Sequence, residues 1–137
     1  MSRKTAREVA MKLTFARLFG ANETDYEDVL EKSGITTRPT PADIKYSDFV
    51  LHGIELNRVE IDAWLSKASI DWDIERMGKV DYAILSIAIF EMLYMPDIPG
   101  AVSINEAVEL AKKFGNEQSP AYINGVLGSI NRQAQEE

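Results

Sequence analysis

His52 is the only imidazole in the chain, and it stands in an apolar helical stretch. With no second histidine, it lacks the partners that nucleophilic or metal chemistry needs, and it is expected to be a packed or half-exposed structural residue. The chain has no cysteine, which excludes disulfides, thiolate metal sites and cysteine nucleophiles. Two carboxylate pairs remain. Asp71 and Asp73 are two residues apart and on a helix point different ways. Glu106 is expected to close a capping box and Glu109 to lie on a solvated face. No Gly-rich phosphate loop, HExxH motif or nucleophile elbow is present. The expectation is a protein that catalyses nothing and holds neither cofactor nor metal.

The side chains that could do binding chemistry are cationic. Residues 1–17 carry Arg3, Lys4, Arg7, Lys12 and Arg17 against Glu8 alone, a net charge of +4. The remaining 120 residues carry 10 basic and 21 acidic side chains, a net charge of −11. Arg3 and Arg7 are four apart and Lys4 is adjacent, so all three can face one nucleic-acid strand. An ordinary solvated first turn, with Arg7 pairing surface carboxylates, fits the same spacing. An acidic body repels nucleic acid at long range and attracts a basic protein, so RNA would need a local basic patch.

These residues must be positioned by helices. At 45% apolar and 27% charged residues, 137 residues suit one globular domain with a real core. The basic start is not followed by an uninterrupted apolar run, so no secretory signal is read there. The apolar stretch Tyr82–Met95 contains Ser86 and Glu91 and falls short of a membrane span. A cytoplasmic protein without membrane contact is expected.

Residues 3–19 place Ala6, Val9, Ala10, Leu13 and Ala16 on one face, with Met11, Phe15, Leu18 and Phe19 as a second apolar patch. Gly20 should end that helix, and Thr24 should cap a short one near 25–33. Thr40-Pro41 reads as a cap followed by proline at the first helical position, opening a long segment to about Ala68. Ser69 should cap a short helix through Trp72 to Met77, broken by Gly78. Residues 80–95 leave little polar face and belong at the centre. Ser103-Ile104-Asn105-Glu106 has the pattern of a capping box, Gly115 is a helix-ending glycine, and Ser119-Pro120 starts the last helix.

Two runs stand out, Val102-Ser103-Ile104-Asn105-Glu106-Ala107-Val108-Glu109-Leu110-Ala111-Lys112-Lys113-Phe114-Gly115 and Ile123-Asn124-Gly125-Val126-Leu127. In their order and spacing the chain resembles the NusB family of transcription antitermination factors. Asp81-Tyr82-Ala83-Ile84-Leu85, Glu91-Met92-Leu93-Tyr94, Asp97-Ile98-Pro99 and Ala6-Arg7-Glu8-Val9-Ala10 add to it. It runs nearly end to end and is thinnest from about residue 20 to 50. The helix signals give about seven helices, which short connections arrange as an all-α antiparallel bundle, and the resemblance implies the same fold as one RNA-binding domain over 1–137 with subdomains of about 1–68 and 69–137. It also implies a bacterial adaptor that binds boxA-type single-stranded RNA of nascent transcripts, rRNA included. Its co-binder is NusE, a small-subunit ribosomal protein, and the complex helps RNA polymerase read through terminators.

Carried residue by residue, the family's arginine-rich start falls on Arg3, Lys4 and Arg7. A second RNA surface falls on the turn holding Phe114, Gly115, Asn116, Gln118 and Ser119, followed by Tyr122. The third is Gly78, Lys79 and Asp81 at a helix start, where backbone amides are open. The second surface also reads as a plain connection in which Phe114 and Tyr122 staple two helices together. The chain departs from the pattern at Thr5 and Ala121, where basic residues are common, and at Ser86, where arginine is frequent. Two other readings stay open: a helical protein-interaction module without RNA, and a stand-alone relative of the NusB-like domain found beside RNA cytosine methyltransferases. The chain has no catalytic cysteine or α/β cofactor domain, so it cannot itself transfer methyl groups. A homodimer is compatible with the sequence.

Overall fold

Six helices form among the residues that the computed structural model describes, which are 3–18, 40–68 and 77–136, with the backbone alone for Arg3, Lys4 and Glu136. They are α1 (Arg3–Leu18), α2 (Pro41–Leu56), α3 (Arg58–Ala68), α4 (Lys79–Tyr94), α5 (Gly100–Phe114) and α6 (Ser119–Glu136). Among the described residues there is no strand, and no helix is long and apolar enough to cross a membrane. The short helix expected near 25–33, its Thr24 cap, Gly20, and the Ser69-capped segment through Asp71, Trp72 and Asp73 lie outside the described residues. Met77, at the end of that segment, is buried in a bend.

The apolar composition of α4 puts it at the centre, as expected. Every residue from Ala83 to Glu91 is buried, and α4 packs against each of the other five helices. The core around it runs from Ala6 and Ala10 through Ile54, Ile61 and Leu65 to Ile123, Leu127 and Ile130. Gly53 lets the Phe90 ring lie directly on α2: a Cβ built there would stand 2.1 Å from Phe90 Cε1. The Phe49 ring meets Phe90 edge-on at 5.5 Å.

Thr40 caps α2 as its sequence suggests, and Asp43 completes the box. The Asp43 amide donates to Thr40 Oγ1 at 3.1 Å, and the Thr40 amide donates to Asp43 Oδ2 at 2.9 Å. Two other boundaries correct the expectation. The long segment to Ala68 breaks at Asn57, whose amide and side-chain Nδ2 both donate to the Gly53 carbonyl, at 3.0 and 2.8 Å. A short amide side chain that bonds the backbone in this way competes with the helix ladder. α3 then restarts from the Asn57 carbonyl, which accepts from Ile61 at 2.9 Å.

The second correction concerns Ser103. α5 begins at Gly100 behind Pro99, whose carbonyl accepts from Val102 and Ser103. Ser103 is therefore inside the helix, and neither it nor Glu106 forms a cap. Its hydroxyl donates to Glu91 Oε1 at 2.8 Å. The buried carboxylate of Glu91 needs donors more than the helix start needs a cap.

Candidate nucleic-acid interface

Among the described side chains of α1, each basic residue has a carboxylate partner. Arg7 is 6% exposed. Its Nε and Nη2 donate to Glu91 Oε2 and Oε1 at 2.8 and 3.2 Å, and the Tyr46 hydroxyl donates to the same carboxylate. Burial opposes the charged form of Arg7, but the hydrogen bonds and charge of Glu91 outweigh it and hold the guanidinium above its usual range. The expectation that Arg7 faces an RNA strand beside Arg3 is thus corrected. A carboxylate in the middle of α4 requires a fork of donors, and Arg7 supplies it from the facing helix. Arg17 pairs with Glu55 at 2.8 Å, and Lys12 with Glu8 at 3.5 Å. Arg3 and Lys4 occupy the first turn of α1, and their side chains lie outside the described residues.

The other two expected surfaces come together. Gly78 and Asp81 at the start of α4 face Asn116, Gln118, Ser119 and Tyr122 across one cleft of about 200 Å³, which Met77 also lines. The two halves of this lining are more than thirty residues apart in sequence, and the packing of α4 against α6 joins them. Gly78 is exposed, caps α4 in an extended conformation and offers no side chain to its first amides. A Cβ there would meet nothing within 4 Å. Asp81 sits in that first turn, half-buried, with its carboxylate near the positive end of the helix. Lys79 is exposed at the same helix start but does not line the cleft.

The opposite wall is built by a reciprocal cap. Asn116 Oδ1 accepts from the amides of Gln118 and Ser119 at 2.8 and 3.1 Å, and the Asn116 amide donates to Ser119 Oγ at 3.0 Å. Asn116, not Ser119, therefore heads the turn into α6. Ser119 is buried and its hydroxyl holds the turn. Gly115 ends α5, as expected, in an extended backbone, so its lack of a side chain matters for space and not for handedness. A Cβ at Gly115 would stand 2.5 Å from Ser119 Oγ and 2.8 Å from the Ala111 carbonyl oxygen. Gln118 and Asn116 are exposed, and Tyr122 is half-buried.

Phe114 does not line the cleft. It is half-buried against the core, with Lys12 Nζ 4.9 Å and Lys113 Nζ 5.2 Å from its ring centre. Lys12 and Lys113 escaped the sequence reading as a pair because they meet only when α1 packs beside the end of α5. Glu91, by contrast, carried a signal: a carboxylate inside an apolar helix must find buried donors. His52 is exposed on α2, in a shallow depression with Arg17, Asp48, Leu51 and Glu55, and is not packed. Glu109 lies on a solvated face, paired with Lys112 at 3.3 Å.

The NusB family model matches residues 4–132. Two relatives, each a transcription antitermination protein NusB, come from Natranaerobius thermophilus and Clostridium novyi. They are 43% and 39% identical over 136 and 132 residues, covering 97% and 95% of this chain and 96% and 98% of their own. The crystal structure of T. maritima NusB superposes with a TM-score of 0.83 at 30% identity, covering 97% of this chain and 92% of that one. The solved complex of the antitermination factors NusB and NusE with dsRNA matches with a TM-score of 0.79 at 24% identity and 96% coverage of both chains, a likeness of fold. A family match over residues 4–132, with relatives at these identities along nearly their whole length, means that the chain belongs to the NusB family.

Proposed function

We propose that the chain is a non-catalytic adaptor of transcription antitermination. In this reading it binds boxA-type single-stranded RNA of nascent transcripts together with NusE, a basic small-subunit ribosomal protein, and so favours read-through by RNA polymerase. The observation that carries this reading is the cleft in which the start of α4 and the turn into α6 meet. Single-stranded RNA is recognised through backbone contacts, stacking and splayed base edges, and the cleft offers a group for each. The uncapped amides after Gly78 can take a phosphate oxygen. Tyr122 provides a ring against which a base can stack. Asn116 and Gln118 provide amide groups for base edges, and Asp81 can accept from an exocyclic amino group while repelling misplaced phosphates.

Arg7 has no part in this contact. It holds α1 on α4, and its effect on RNA is to fix the direction of the first turn, where Arg3 and Lys4 stand. The charge balance supports dependence on a partner. About three to five phosphate contacts give single-stranded RNA a salt slope of only about −2 to −3.5. A basic protein docked on an acidic body neutralises it and extends the RNA path. The exposed Leu56 and Val59 at the α2–α3 break favour a protein-binding role as well, which suits an adaptor and also a protein-interaction module without RNA. The test is a titration of a labelled boxA-type RNA at fixed salt, with and without NusE. The expected result is weak binding alone and markedly tighter binding with NusE. Equal affinity in both arms would remove the adaptor mechanism, and absence of RNA binding in both would leave the protein-interaction module.

A further inference from the structure

Two lysines from distant parts of the chain share one carboxylate and one aromatic ring. Lys113 Nζ lies 2.7 Å from Glu8 Oε1, and Lys12 Nζ lies 3.5 Å from Glu8 Oε2. Both ammonium groups also stand about 5 Å from the centre of the Phe114 ring. The side chain of Lys113 is 61% exposed and that of Lys12 28%, while Glu8 is 14% exposed. One half-sunken anion therefore gathers two more accessible cations at the edge of an aromatic ring, leaving the group with a net charge of +1. We propose that Lys12 and Lys113 are a phosphate-binding pair for single-stranded RNA, and that Glu8 is an internal anion standing where an RNA phosphate binds. This rests on the RNA-binding reading and deepens it, since neither lysine belongs to the surfaces carried over from the family pattern.

Three features support the assignment. An anion bridging two ammonium groups is what a phosphodiester oxygen pair requires, and Glu8 already occupies that position. A phosphate there would release the lysines from a surface ion pair that contributes little by itself. The location is also right. Glu8 and Lys12 lie four apart on one face of α1, whose first turn holds Arg3 and Lys4, and Phe114 ends the helix that leads directly into the Asn116 turn. The pair thus lies between the basic first turn and the cleft. Finally, the surroundings give a direction. Glu106, Glu109 and Lys112 line a shallow depression with Glu8 and Lys113, and Glu109 neutralises Lys112. Glu106 adds a further negative charge, so a polyanion is steered off that side and towards Lys12 and Phe114.

The experiment titrates labelled boxA-type RNA with the full chain plus NusE across a salt series. It compares wild type, Lys113→Gln, the double variant Lys12→Gln/Lys113→Gln, Glu8→Gln, and the triple variant that combines all three changes, with thermal melts on each. The double variant is expected to bind about tenfold more weakly, and its plot of log K against log salt to flatten by about 1.4, near 0.7 per lost phosphate contact. Lys113→Gln, on the most exposed side chain, gives about half of that flattening with an unchanged Tm. Glu8→Gln is expected to tighten binding about threefold at low salt, and to give no such gain once both lysines are replaced. Wild-type slope and affinity in the lysine variants, or no gain from Glu8→Gln, overturns the pair while leaving the RNA reading intact. Failure of the wild-type protein to bind RNA at all overturns both.

Discussion

Arg7 and Glu8 are neighbours on α1, and each makes a contact between a cation and a carboxylate at nearly the same distance. Arg7 Nε stands 2.8 Å from Glu91, and Glu8 stands 2.7 Å from Lys113. Their surroundings differ most at the partner. The side chains of Arg7 and Glu91 are 7% and 1% exposed, and Tyr46 and Ser103 complete the shell around the carboxylate. The lysine opposite Glu8 is mostly in water. Contact distance therefore says little about what an ion pair does. The buried pair ties α1, α2, α4 and α5 to one point and cannot be exchanged for a ligand without unfolding its surroundings. The exposed pair holds little together, and for that reason its partner can be replaced by RNA.

Breaking the buried pair should have the largest effect. Glu91→Ala leaves the Arg7 guanidinium without its partner and removes the acceptor of two hydroxyls, and a cost of roughly 3–5 kcal/mol is expected. Chemical denaturation measures it, and a midpoint close to wild type would show that water or a shifted side chain replaces the carboxylate cheaply. Arg7→Glu should be at least as damaging, since it puts two carboxylates together in the core.

A half-buried cluster lies between the two extremes. The Tyr82 hydroxyl donates to Asp62 at 2.6 Å, and Arg58 reaches both Tyr82 and Ser86 at 2.9 Å, bringing a guanidinium to a position where the family pattern often has arginine. Burial, and then the bond to Asp62, push the Tyr82 phenol from 10.0 up to about 12 against the opposing pull of Arg58. The fold thus prefers the neutral phenol. The stability this contributes is complete below pH 10 and is lost as pH rises through about 12. Tyr82→Phe should lose less stability over that interval than wild type, as followed by alkaline denaturation. Identical alkaline sensitivity would place the sensitive group elsewhere. The smallest effect on stability belongs to Lys113→Gln, which should change the unfolding free energy by no more than about 1 kcal/mol. A larger loss would make the exposed pair structural and erase the contrast with Arg7.

Composition alone located α4, because a helix with no polar face has only one place to go. The same helix held the clue to Arg7: Glu91 interrupts its apolar run, and such a carboxylate must be paired. Which cation pairs with it is a matter of tertiary packing across 84 residues, and local spacing made Arg7 look like a surface residue instead. The break at Asn57 turns on two hydrogen bonds to one carbonyl, a small local preference that apolar periodicity passes over. Lys12 and Lys113 are ordinary helix lysines until Phe114 and Glu8 bring them together. The lining of the cleft was legible only through the resemblance, and its two halves are joined by the packing of α4 and α6.

The cleft is the centre of the functional account, and Gln118 tests it most directly. Its side chain is exposed while its backbone amide is held by Asn116 Oδ1, so the side chain can change without loosening the turn. Gln118→Glu puts an anion at the mouth of the cleft, at a helix start where a carboxylate is tolerated or mildly favourable for folding. Binding of boxA-type RNA in the presence of NusE should weaken several-fold, with the melting temperature unchanged. RNA affinity equal to wild type, in a variant that melts like wild type, would reduce the turn between α5 and α6 to a simple helix connection and contradict the account.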